Sequence, residues 1–426
     1  MRSFPARRLI VPAAVMAVLA VLLVQRASAA LACAFDDPSA TLTVTLGPNE
    51  STTVSRQLDT IAVDGVPCGA ATVMNTDKIT VTGTGAGNQL TIDLSGGALA
   101  PGKTPEADAV DSEIEWSVDL GQNGTVRVLG GPGIDTISVG GGGINLNATE
   151  AIGDADVVLL NTPVIALDGS GGDDQLSAAG GQGVGAPVGG LTLHGDDGAD
   201  TLIEGTGSDQ LDGGAGTDTM DFRGSTQVDI AAMVTGVATV NGTSTTQFTS
   251  IENVTGSPGD DHIVGDGNPN VLAGADGKDV IDGAAGDDLV DGGLGDDQLM
   301  GGAGIDTLDF RSSSDGVQVD LQAGTAAGDG SDTVADFENV KGSDLADDIM
   351  GDGGPNTISA GGGRDTVHGR AGADVGRGGD GQDFLYGGND DDVLRGGAGK
   401  DQILGGGGKD VCSGGADPDA WIDCES

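Results

Sequence analysis

The sequence has 426 residues, 80 of them Gly; acidic residues outnumber basic ones 66 to 18, for a formal net charge of −48, and aromatics are only 2%. A core of large side chains is beyond this composition, and chains so rich in Gly and charge order only when something besides apolar burial holds them. The charge excludes nucleic acid and anionic membrane surfaces as partners, since both require basic patches, and it points instead to cations.

In chain order, Arg2, Arg7 and Arg8 precede an apolar run from Leu9 to Val24, and Ala27-Ser28-Ala29 suits small-residue cleavage. Residues 1–29 therefore read as a signal peptide, with the mature chain starting at Ala30. The run is short for a membrane span and the chain has no second one. Loss of Arg2, Arg7, Arg8 and Arg26 takes the net charge to −52. Ala30-Leu31-Ala32-Cys33 lacks the Leu three residues before Cys that a lipoprotein signal carries. The chain is thus expected to be secreted and extracellular, where four cysteines suggest two disulfides. The most local of three connectivities pairs Cys33 with Cys68 and Cys412 with Cys424, pinning each end of the molecule.

Residues 30–129 read as a β-rich N-terminal region that caps a solenoid. Thr41 to Leu46 and Ile79 to Thr82 are strand-like, and Ile114 to Leu120 followed by Thr125 to Leu129 across Asn123-Gly124 predicts a hairpin. Residues 130–194 read as degenerate coils, among them Val157 to Leu160 and Val164 to Leu167. No segment predicts a helix in the mature chain.

From there a nine-residue period dominates. Residues 195–221 hold three blocks, 256–309 six and 342–422 nine, all in the frame Gly-Gly-x-Gly-x-Asp-x-apolar-x; GGAGKDQIL (396–404) is typical. Isolated copies stand at 130–138 and 169–177. The inserts 222–255 and 310–341 resemble each other, starting Phe222-Arg223 and Phe310-Arg311 and ending Ile251-Glu252-Asn253-Val254 and Phe337-Glu338-Asn339-Val340. They read as short extra strands flanking the coils, and residues 423–426 form a tail.

Three Gly in four positions require backbone with φ > 0, so that part of the block is a tight turn. The last three residues alternate polar, apolar, polar, a short strand with its middle side chain inward. Two blocks make one turn of a flattened solenoid, so blocks n and n+2 stack about 4.8 Å apart. Their Asp carboxylates then repel by about 3–4 kcal/mol at an effective dielectric near 20. A hard divalent cation between turns reverses that sign, and oxygen ligands on flexible loops suit Ca²⁺ best.

These blocks resemble the RTX, or hemolysin-type calcium-binding, repeats of secreted bacterial proteins, so the calcium assignment rests on recognition as well as on charge. The resemblance implies an all-β chain, a parallel β-roll or β-solenoid in which Asp side chains and turn carbonyls hold multiple Ca²⁺ ions. It implies as ligands Asp200, Asp209 and Asp218 in the first run and Asp261, Asn270, Asp279, Asp288, Asp297 and Asp306 in the second. In the third it implies Asp347, Asn356, Asp365, Asp374, Asp383, Asp392, Asp401, Asp410 and Asp419, with Asp135 and Asp174 as weaker candidates. Asn270 and Asn356 supply only neutral oxygens. Pairing within runs allows at most twelve interior sites. Gly376, at an inward position, predicts a poorly packed coil, whereas Cys412 and Trp421 at inward positions, with Cys424, close the open end.

Catalytic motifs are weak. Residues 97–104 (GALAPGKT) fit a phosphate-loop pattern, but Pro105 comes next, where a helix is needed. His194, His262 and His368 form no His-Glu-x-x-His motif, and no Gly-x-Ser-x-Gly elbow occurs. A non-enzymatic calcium-binding protein is the first reading, with a structural or surface-binding role and an unnamed protein or glycan partner. The alternatives are a carbohydrate-active β-helix over residues 30–190 with a calcium-binding tail, and a cell-surface adhesin.

Overall fold

The computed structural model describes residues 32–97, 114–146, 156–161, 163–180, 190–415 and 417–424. The segment read as a signal peptide and nearly all of the phosphate-loop-like segment lie outside them, as does the side chain of Trp421. Among the described residues the chain is all-β, with one short 3-10 turn at Met233–Thr235.

The strands form two long sheets, A with nineteen strands and B with twenty-two. Successive blocks alternate between them, and partners within a sheet lie eighteen residues apart. Val280, Ile281 and Asp282 pair in parallel with Gln298, Leu299 and Met300 in sheet B, and Val271, Leu272 and Ala273 with Leu289, Val290 and Asp291 in sheet A. The middle residue of each strand faces the other sheet: Ile263, Leu272, Ile281, Val290 and Leu308 are fully buried in one continuous core. That core is thin, one branched aliphatic residue per block, which is why so few aromatics suffice.

The turn glycines have a steric cause. Gly397 and Gly399 have φ of 113° and 132°. A Cβ on either would collide with the carbonyl of the glycine eighteen residues earlier, Gly379 or Gly381, so both conformation and stacking distance require Gly.

The coils begin well before the repeats. In sheet A Thr41 pairs with Lys78 and Lys78 with Glu115, all parallel, one coil every 37 residues. In sheet B Ser51–Gln57, Gln89–Asp93, Thr125–Leu129 and Val164–Asp168 stack likewise. The predicted hairpin is therefore absent: Glu115–Asp119 belongs to sheet A and Thr125–Leu129 to sheet B, and Asn123, with φ of 54°, turns a coil corner. No break occurs at residue 129, since Thr125–Leu129 pairs directly with Val164–Asp168.

Capping falls to antiparallel strands at the N-terminal edge. Ala32–Asp36 covers the edge of sheet A, and Thr60–Val63 with Val66–Thr72 covers that of sheet B. The Cys33–Cys68 disulfide ties the two caps together. At the other end Cys412–Cys424 links the last strand of sheet A to the residues just after Ala420–Ile422, the last of sheet B. Edge strands left open are templates for pairing with other chains, and both ends are clipped.

The two inserts lie within sheet B rather than beside the roll. Val228–Ile230 lands next to His262–Val264, and Val237–Val240 and Ser244–Thr249 fold back to reach Gln210–Ala215. Gln318–Asp320, Thr325–Ala327 and Ser331–Ala335 repeat that pattern. Sheet A meanwhile continues directly, Thr219–Asp221 pairing with Asn253–Thr255.

Candidate metal centre

The Asp at position six of each block points back into its own turn. In most blocks of the long runs its Oδ1 accepts the backbone N–H of the position-six residue eighteen residues earlier, so the carboxylates form a ladder along each edge of the roll. Asp261 N–H donates to Asp279 and Asp279 N–H to Asp297, both at 2.8 Å. On the opposite edge Asn356 donates to Asp374 and Asp374 to Asp392, again at 2.8 Å. The last run continues this through Asp365, Asp383, Asp401 and Asp419.

The second carboxylate oxygen is the informative one. Oδ2 of Asp174, Asp200, Asp209, Asp218, Asp279, Asp288, Asp297, Asp306, Asp365, Asp374, Asp383, Asp392 and Asp401 is buried without a hydrogen-bond partner. Most of these oxygens border the first glycine of their block, and several also border a turn carbonyl from the next coil. A methyl group on Gly369 would strike both Asp374 Oδ2 and the carbonyl of Gly387. Burial, with neighbouring carboxylates adding to it, pushes Asp279 up to about 8, Asp174, Asp365 and Asp374 to about 7, and Asp218 and Asp288 to about 6. Buried carboxylates without a counter-charge are costly, and each row asks for a cation.

A family model for the RTX calcium-binding nonapeptide repeat, four copies long, matches residues 192–224, 255–308 and 341–419 through overlapping placements. The chain carries RTX calcium-binding repeats. No curated protein matches the chain.

The RTX corners fit Ca²⁺ by the chemistry of their donors. Those with an orphaned carboxylate oxygen offer hard oxygen only, that atom beside turn carbonyls, which suits Ca²⁺ over softer metals. Among the described residues no three His, Cys, Asp or Glu side chains converge. An ion here depends on backbone carbonyls, which only stacked turns bring together.

Not every predicted RTX ligand has a free oxygen. Asp261 takes the Ser257 N–H at 2.6 Å and hydroxyl at 2.8 Å and the Val228 N–H at 2.5 Å. Asp347 is satisfied alike by Ser343 and Val317. Asn270 accepts from Asp266 N–H at 3.0 Å and donates through Nδ2 to the Glu252 carbonyl at 2.8 Å; Asn356 bonds in the same way to Asp352 and Glu338. These four close their own corners just after each insert. Asp209 does keep a buried, unpartnered Oδ2, but it faces Glu204, which stands where the frame has Gly; Ser225 Oγ donates to the Glu204 carboxyl at 2.9 Å, and burial pushes Glu204 up to about 7. Asp410 is buried, and Asp135 and Asp419 are half-buried.

Sequence reading missed three ladder members. Glu252 accepts Asp218 N–H at 2.9 Å and Glu338 accepts Asp306 N–H at 2.8 Å, each taking the Asp position at the end of an insert. Asp332 accepts Asp297 N–H at 3.0 Å, and burial pushes it up to about 6. The signals were present: Glu-Asn-Val has Glu in the Asp position, and Gly328-Asp329-Gly330-Ser331-Asp332-Thr333-Val334 is a block hidden inside the second insert. Gly376 leaves no void, because Leu394, Val367 and Leu385 close over it within 4 Å of where a side chain would begin.

The histidines stand apart from the ladders. His368 stacks on Tyr386 with ring centroids 4.5 Å apart on the outer face of sheet B, and His262 Nδ1 lies 2.9 Å from Asp229.

Proposed function

We propose that this chain is a secreted, non-enzymatic calcium-ion-binding protein in which Ca²⁺ held at the stacked turns drives the repeats to fold, giving a rod with a structural or surface-binding role. The observation that carries the reading is the row of buried, unpartnered Asp Oδ2 atoms lying against turn glycines. Asp200, Asp218, Asp279, Asp288, Asp297, Asp306, Asp365, Asp374, Asp383, Asp392 and Asp401 would hold the ions. Binding to a site that only the fold assembles becomes folding free energy. Coils without free oxygens, at 256–273 and 342–359, are closed by Ser and Asn hydrogen bonds and need no ion.

Extracellular calcium modules commonly bind at about 10⁻⁴–10⁻³ M, a range that suits a protein folding after export. The test is a far-UV circular dichroism titration with Ca²⁺ from a chelated start, with Mg²⁺ in parallel. Growth of strand signal with Ca²⁺ and not with Mg²⁺ is expected. A spectrum unchanged in chelator would sink the proposal.

A further inference from the structure

The outer face of sheet A near its C-terminal end is basic, against the character of the whole molecule. Adjacent strands place Asp309, Lys341, Ser359, Arg377, Arg395 and Ser413 in one file, because Asp309 pairs with Lys341, Lys341 with Ser359, Ser359 with Arg377, Arg377 with Arg395 and Arg395 with Ser413; Asp309, at the file's start, is buried and bound to Arg311. Strand spacing of about 4.8 Å puts Arg377 and Arg395 side by side, with Lys341 about 10 Å from Arg377. Arg377 and Arg395 are exposed, and neither they nor Lys341 join an ion pair among the described residues. Arg311 borders the same face, its guanidinium held by Asp309.

The companion file on these strands is Thr307, Asn339, Thr357, Val375, Val393 and Val411, with no carboxylate in it. Thr307, Asn339, Thr357 and Ser359 line a shallow groove walled by Arg311, Lys341 and Arg377. A chain of charge −48 therefore concentrates three unneutralised basic residues, Lys341, Arg377 and Arg395, on one flat strip, with Arg311 paired to Asp309 at its border.

We infer that this strip binds a linear acidic polysaccharide, carboxylated or sulfated. Charge complementarity selects an anion, and guanidinium groups bind carboxylate and sulfate in bidentate fashion. The groove's hydroxyls and amide match sugar hydroxyls, and its flatness suits an extended chain. A protein partner would need the aromatic anchors that this face lacks. Nucleic acid would need stacking platforms, also absent here. The strip is distinct from the turn edges, so the inference concerns the folded rod whatever fills those edges.

The test is isothermal titration of the mature chain, folded in millimolar Ca²⁺, with oligoguluronate, heparin oligosaccharide and neutral dextran as separate arms. Binding to one or both anionic arms and not to dextran is expected, weakening as salt rises. Arg377→Ser with Arg395→Ser installs the residue that Ser359 and Ser413 already carry in this file, and should weaken binding about a hundredfold, near tenfold per guanidinium. Lys278→Ser with Lys400→Ser removes the same charge from the turn edges and should leave binding unchanged. Circular dichroism confirms that each variant folds, which separates failure here from failure of calcium-driven folding. No binding by the folded chain to either polyanion would overturn the inference. So would equal loss in both double variants, or sedimentation showing that the strip instead joins two copies of the chain.

Discussion

Protons and calcium should be interchangeable in folding this rod. The pKa of Asp279 rises from 3.8 to about 8, and those of Asp365 and Asp374 to about 7, with burial as the first cause. A carboxyl whose folded pKa lies above its unfolded value holds its proton more tightly when folded. Its contribution is therefore fully present below the unfolded pKa and is lost as pH rises through the folded pKa. For Asp279 at pH 7 the penalty relative to the fully protonated state is on the order of 4 kcal/mol, and at pH 5 about 1–2 kcal/mol. The ladder repeats this cost along both edges, so the calcium-free chain should be unfolded in its repeats at pH 8 and gain strand structure progressively as pH falls from about 8 toward about 4. Saturating Ca²⁺ should remove that pH dependence, because the ion holds the charged form. The assay is far-UV circular dichroism on a pH grid, in chelator and in millimolar Ca²⁺, with Asp279→Asn as a marker. That variant keeps the acceptor for Asp261 N–H and removes the raised carboxyl, so it should fold at higher pH than the native chain in chelator. In Ca²⁺ it should be the less stable of the two. Equal destabilisation by Asp279→Asn under both conditions would refute the reasoning and reduce the ladder to a set of hydrogen bonds.

Asn356→Asp breaks the Nδ2 bond to the Glu338 carbonyl and adds an orphaned carboxylate. It should destabilise the chelated fold by about 1–3 kcal/mol and add one Ca²⁺ per molecule by calorimetric stoichiometry. Gly369→Ala places a methyl against Asp374 Oδ2 and should lower bound calcium by one. Gly407→Ala, whose methyl would meet nothing nearer than 3.8 Å, should change calcium uptake little. Replacing Cys412 and Cys424 by Ser opens a clip spanning twelve residues and should cost about 3 kcal/mol, read as earlier proteolysis of the final blocks while the N-terminal coils persist.

The period of nine, the strand-turn alternation and the Asp at position six were legible in the sequence because they are local, and stacking of blocks n and n+2 is a consequence of two strands per coil. Both disulfides, too, join the pairs that sequence proximity favours. What the sequence could not supply was which oxygens are left over. Asp261 and Asp279 occupy the same place in their blocks, yet one is satisfied by Ser257 and Val228 and the other keeps a bare buried oxygen. Part of that difference is local, since Ser257 is four residues from Asp261 and its N–H takes Oδ2; the rest comes from Val228, thirty-three residues away and brought close by an insert folded into sheet B. The same holds for Asn123-Gly124, whose turn signal is real but whose flanking strands find better partners on coils before and after than on each other. Local chemistry determined the repeat, its preference for a hard cation and the Ser and Asn hydrogen bonds that close some corners; stacking decided whether the remaining corners can hold an ion, because such a site is made of atoms that meet only across coils.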